Sequence, residues 1–179
     1  PTLGNVGLLM RLWSVVLAGN LIGTAVAAWA FNYMPIFDEP TRQAFVSIAE
    51  DVMKNSPTEM FANAIISGWL VATMVWMFPV AGAAKIVVII LMTWLIALAD
   101  TTHIVVGSVE ILYLVFNGNL PWSDFIWPFA LPTLAGNICG GTFIFALLSH
   151  AQIRNDMSSK RKAEARAQAA EKGKKADRA

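Results

Sequence analysis

Four consecutive residues could do chemistry together: Asp100, Thr101, Thr102 and His103. An imidazole holds or passes a proton near neutral pH. Two hydroxyls beside it can bond loosened backbone or a small polar solute. Asp100 reads best as a cap on a helix that begins near Thr101, since an acid lining an anion path would repel its cargo. Glu110 follows His103 by seven residues, on the same face of a helix, and reads as an outer-end surface carboxylate. Cys139 is the single cysteine, so no disulfide framework exists within the chain. Two histidines and one cysteine are too few for a convincing metal site. No cofactor is expected.

The elements that carry these residues are apolar. Of the 179 residues 56% are hydrophobic and 14% charged, against about 25% charged in soluble domains. Nine of the thirteen Lys and Arg follow Gln152, leaving Arg11, Arg42, Lys54 and Lys85 before it. The expected organisation is an all-α transmembrane domain over 1–151 and a basic cytoplasmic tail over 152–179.

Spans are expected over about 13–34, 60–80, 86–116 and 125–149. The third is too long for one crossing. From Lys85 to Phe116 there are 32 residues, about 48 Å of helix against a hydrocarbon core of about 30 Å. The Asp100–His103 tetrad sits in its middle. The reading is a helix broken near 99–103, because irregular backbone at membrane depth survives only where it is buried in protein or lines a water-filled cavity. The basic tail puts the C-terminus in the cytoplasm, with Arg11 and Lys85 on the same side. The 36–59 loop then lies outside, with Asp38, Glu39, Glu50, Asp51 and Glu59 against Arg42 and Lys54. Trp122 and Trp127 flank the last outer loop, at the level of an aromatic belt.

Ala18-Gly19-Asn20-Leu21-Ile22-Gly23 recurs as Ala135-Gly136-Asn137-Ile138-Cys139-Gly140. The copies fall in spans of opposite direction, and an inverted repeat is a signature of transporters and channels. Small residues four apart let helix backbones approach closely, so Gly23 and Gly140 read as packing positions. An amide in hydrocarbon needs a partner, so Asn20 and Asn137 read as supports for a neighbouring broken helix or as bonds across a helix pair.

Gly-Asn-x-x-Gly in two spans, with a span broken just before a central histidine, resembles the formate/nitrite transporter family. Phe61-Ala-Asn-Ala-Ile-Ile-Ser-Gly-Trp69 and Pro132-Thr-Leu-Ala-Gly-Asn-Ile-Cys-Gly-Gly141 look like a bacterial inner-membrane branch of it. The resemblance runs from residue 1 to about residue 160. It implies an aquaporin-like fold of six spans per protomer, built as two inverted three-helix repeats, with protomers assembled as pentamers in the inner membrane. Four of those spans lie here. The chain begins with Pro1 and reads as a piece lacking the first two spans, among them the broken helix that faces Asp100–His103.

By this resemblance His103 is the central pore histidine, and the partner is a small monovalent anion of a weak acid such as formate or nitrite. An anion beside the imidazole favours the protonated ring. Passing that proton to the anion gives a neutral acid, which crosses an apolar constriction far more cheaply than a charge. Thr101 and Thr102 would supply hydroxyls to the path. Three positions depart from better-known members: Thr102 stands where a glutamate precedes the histidine, and Gly107 and Gly68 stand where asparagines are found. The polar network around the histidine is therefore expected to be thinner. The alternatives are a non-conducting structural or regulatory membrane protein of the same fold, or a neutral-solute pore. Neither an enzyme nor a nucleic-acid partner is expected.

Overall fold

The computed structural model describes residues 3–154. The expected basic tail falls almost wholly outside the described residues. Helices α1 (Leu3–Tyr33), α2 (Glu39–Met53), α3 (Pro57–Ala81), α4 (Lys85–Leu98) and α5 (Ile104–Phe116) are followed by α6 (Trp122–Arg154). By length and composition three stretches can cross a membrane: Gly4–Tyr33, Pro57–Leu98 and Trp122–Arg154, with Ile104–Phe116 a shorter apolar helix.

The second of these stretches is a hairpin. Gly82 takes φ +49, a value glycine adopts without strain, and a short 3-10 turn over Gly82–Ala84 leads into α4. The Thr102 hydroxyl donates to Met60 O at 2.8 Å, so the chain has returned to the start of α3 after about twenty residues in each direction. Two other pairs run parallel. Asn32 Nδ2 and Tyr33 Oη, at the end of α1, donate to Phe116 O at the end of α5. Gly136 and Gly140 of α6 lie against Phe61 and Ile65 of α3 in the same order.

α5 is the axis of the packing. Its residues Ile104, Gly107, Ser108 and Ile111–Val115 are buried. One face meets Ala49 and Val52 of α2, Met60 of α3 and Phe129 of α6. The other meets Ala28 of α1. α4 buries only Ile96 and shows Ile86, Val87, Ile90, Trp94 and Leu98 on its surface.

α6 is irregular. Trp127 leaves helical geometry at φ −137, ψ 124, directly before Pro128, whose ring disfavours the α region for the residue ahead of it. A π turn follows at Cys139–Ile144, beginning in the last two residues of the second copy of the Gly-Asn repeat.

The segment read as an outer loop contains α2, a 15-residue amphipathic helix. Asp38 caps it by accepting from the Thr41 N–H at 3.1 Å, and the Thr41 side chain together with that N–H favours the ionised carboxyl and holds it below the usual carboxylate range. Ser56 and Glu59 form a reciprocal capping box at the start of α3, so that helix begins at Pro57. Lys54, exposed at the end of α2, pairs with Asp51, and the pair raises the lysine above its ordinary value.

Candidate functional site

The break between α4 and α5 covers Ala99–His103, and backbone groups on both of its sides have partners. α4 ends in a Schellman turn. The Asp100 N–H donates to Ala97 O and the Thr101 N–H to Ile96 O, both at 3.2 Å. The turn requires a residue in the left-handed region, and Asp100 supplies it at φ +48. Asp100 therefore closes α4 rather than capping α5, which corrects the expectation drawn from its type. The Thr101 hydroxyl adds a bond to Ile96 O at 3.0 Å, so it is engaged with loosened backbone.

His103 caps α5. The Val105 N–H donates to His103 Nδ1 at 3.3 Å. Nδ1 accepts only when it carries no proton, which leaves Nε2 as the N–H of the neutral ring. The next orphan donor of the helix, Ile104 N–H, finds Asn137 Oδ1 at 2.9 Å. The Asn137 amide nitrogen reaches Ala64 O at 2.8 Å, Ser67 Oγ at 3.0 Å and Thr102 O at 3.4 Å. Ser67, fully buried, also bonds Thr102 O. One asparagine on α6 thus ties the start of α5 and the carbonyl of Thr102 to α3.

Close approach makes this possible. A Cβ on Gly68 would stand 2.7 Å from the Asn137 Cα, and one on Gly140 would overlap Ile65 O. The asparagine expected from the family pattern at position 68 has no room here. At Gly107 a Cβ would meet Phe129 Cζ at 2.8 Å. The polar network sits behind the break, around Asn137, rather than around the imidazole.

Asn20 and Gly23 lie elsewhere. Asn20 is exposed on α1, and nothing stands within 4 Å of a Cβ placed on Gly19 or Gly23. The structure joins Asn137, Thr101, Thr102, Asp100 and His103 at one break, packs Gly140 against Ile65 of α3, and leaves Asn20 and Gly23 outside.

In front of the break lies a cleft of about 780 Å³. Its walls include Val71 and Met74 of α3, Thr93, Ile96 and Ala97 of α4, the Asp100–His103 segment, Val106, Gly107 and Glu110 of α5, and Asp51 of α2. Glu110, read from the sequence as a surface carboxylate, is half-buried on this wall. Its spacing from His103 gave the shared face; the gap left by α3 and α4 was not readable.

Apolar helices of membrane-spanning length around a polar break that faces a cleft are the architecture of a helical membrane protein. The formate/nitrite transporter family model matches residues 3–151, and the chain belongs to that family. It is 84% identical over 169 residues to inner membrane protein YfdC of Escherichia coli (strain K12), a match covering 94% of this chain and 54% of that protein. The chain thus spans about half the length of the curated relative. No solved structure matches it.

Proposed function

We propose that the full-length protein conducts small monovalent anions of weak acids, formate or nitrite among them, across the bacterial inner membrane, and is not an enzyme. The observation that carries this reading is His103, which caps the helix that begins at the break and stands at the wall of an open cleft. The N-terminus of α5, the positive end of a half-helix, starts at this point and favours a negative solute. The neutral ring offers Nε2–H to an anion. A proton taken up from solution, by the anion itself or by way of the doubly protonated ring, converts it to an acid that crosses the apolar walls beyond at far lower cost. The pentamer of the family, with one pore in each protomer, and a cytoplasmic C-terminus belong to the same reading.

The test is formate and nitrite flux into liposomes holding the full-length protein, wild type beside His103→Asn. Flux that collapses in the variant, or loses its pH dependence, is the expected outcome. Absence of flux in both proteins sinks the transport reading in favour of a non-conducting membrane protein of the same fold.

A further inference from the structure

α5 carries Val106, Val109, Glu110 and Tyr113 three and four residues apart, so the four share one face of the helix. Phe31 of α1 and Phe45 and Ile48 of α2 stand against that face. The three helices form a pocket of about 390 Å³, within the size range of small-ligand sites. Its wall is apolar and rich in aromatic rings, those of Phe31, Phe45 and Tyr113. Among the described residues Glu110 is its single charged member.

The rings brace one another. Phe45 and Tyr113 meet edge to face, with centroids 5.7 Å apart and planes at 83°, so they make a corner rather than a flat stack. Phe31 stacks on Phe45 at 6.0 Å. Phe37, which does not line the pocket, packs edge-on against both, 5.2 Å from Phe31 and 5.0 Å from Phe45. The corner is thus built before anything enters it. Ile48, Val106 and Glu110 border both this pocket and the cleft at the helix break. Glu110 is half-buried at that boundary.

We propose that the Phe31–Phe45–Tyr113 pocket, with Glu110 at its edge, binds a small quaternary ammonium ion. The face of an aromatic ring is the negative side of its quadrupole and attracts a cation. The carboxylate attracts one by charge. Both features disfavour an anion, and a neutral apolar molecule gives the carboxylate no partner. A quaternary ammonium suits both. It has no N–H to leave unpaired in an apolar pocket, and its methyl groups pack against the rings. The recognising groups are present on three helices of this chain, and segments added elsewhere leave them in place. Binding at this site is independent of the transport reading above and concerns a solute of opposite charge.

The experiment is a calorimetric titration of the full-length protein, in an uncharged detergent, with choline and with dimethylbutanol. The second probe is the isostere in which a quaternary carbon replaces the charged nitrogen. Choline should bind saturably and on the order of tenfold more tightly than dimethylbutanol. Glu110→Gln should weaken choline on the order of tenfold and leave dimethylbutanol unchanged. Phe45→Leu, which keeps an apolar side chain and loses the ring face, should weaken choline about fivefold. Asp51→Asn, at an acid of the cleft that does not border the pocket, should change nothing. An unfolding temperature matching the wild type marks each variant as folded. Equal affinity for choline and dimethylbutanol overturns the proposal, and so does choline binding untouched by Glu110→Gln. No saturable choline binding in the wild type overturns it too, and is the result expected if another segment of the full-length chain fills the pocket.

Discussion

The Gly-Asn repeat occurs twice, and its two copies have opposite surroundings. Asn137 is half-buried and touches the Ala99–His103 break from behind, bonding Ile104 N–H, Ala64 O and Ser67 Oγ. Asn20 is exposed on α1. Gly136 and Gly140 lie against the α3 backbone, while Gly19 and Gly23 have nothing near them. The same six-residue pattern is thus a support where a broken helix lies beside it and an open face where none does. Small residues and an amide make a seat available, and what occupies the seat decides its energetic value.

The sharpest way to break this comparison is to remove both amides from this chain. Asn137→Ala leaves the Ile104 N–H without its partner and removes one of the bonds to Thr102 O, Ala64 O and Ser67 Oγ at the same point. The expected cost is on the order of 3 kcal/mol. Asn20→Ala should stay within about 0.5 kcal/mol, as an exposed substitution does. Thermal or denaturant unfolding of the two variants in detergent gives the difference. Equal losses would mean that Asn20 has a partner in solution and that the asymmetry is not real.

The glycines give a second pair with a somewhat smaller effect. A methyl on Gly140 meets the Ile65 carbonyl, which is backbone and cannot rotate away. Gly140→Ala should cost about 2 kcal/mol through overpacking. Gly23→Ala meets nothing, and in a helix alanine is favoured over glycine by about 1 kcal/mol. The same unfolding assay should therefore show opposite signs. A loss at Gly23 comparable to that at Gly140 would show that α1 packs through this face even in the chain alone.

How far these differences were readable depends on range. The all-α membrane class follows from composition, and the long apolar stretch with Asp100–His103 at its middle follows from counting. The repeat itself is legible as letters. Its asymmetry is not, because Asn20 and Asn137 have the same neighbours in sequence and differ only in what stands across from them. α2 was hidden by its charges, which lower its hydropathy. Its signals were nonetheless local: Asp38 ahead of Pro40, then Phe45, Val46, Ala49 and Val52 at helical spacing. Glu110 was placed on the right face but not at the right depth, since the cleft depends on where α3 and α4 leave a gap. Asn137 was read as a support for a broken helix or a bond across a helix pair, but its partners Ile104 N–H, Ala64 O and Ser67 were not readable. Only the close approach of α6 to Gly68 explains that.

Asp100 separates what the break supplies for itself from what the second repeat copy lends it. An N-cap on α5 and a left-handed closing residue on α4 both suit aspartate, and nothing in the letters decides between them. The two roles rank substitutions differently. At an N-cap, serine serves about as well as aspartate and glycine somewhat less well. At φ +48 glycine is free of strain, while serine bears a Cβ penalty of about 1 kcal/mol that aspartate partly escapes through its own local bonding. Asp100→Gly should therefore be neutral to slightly stabilising, and Asp100→Ser should lose up to about 1 kcal/mol, in the same detergent unfolding assay. The reverse order would put Asp100 back at the start of α5. The expected order makes α4 self-terminating, with Asn137 needed only where α5 begins. The break would then need an outside amide on one of its two sides.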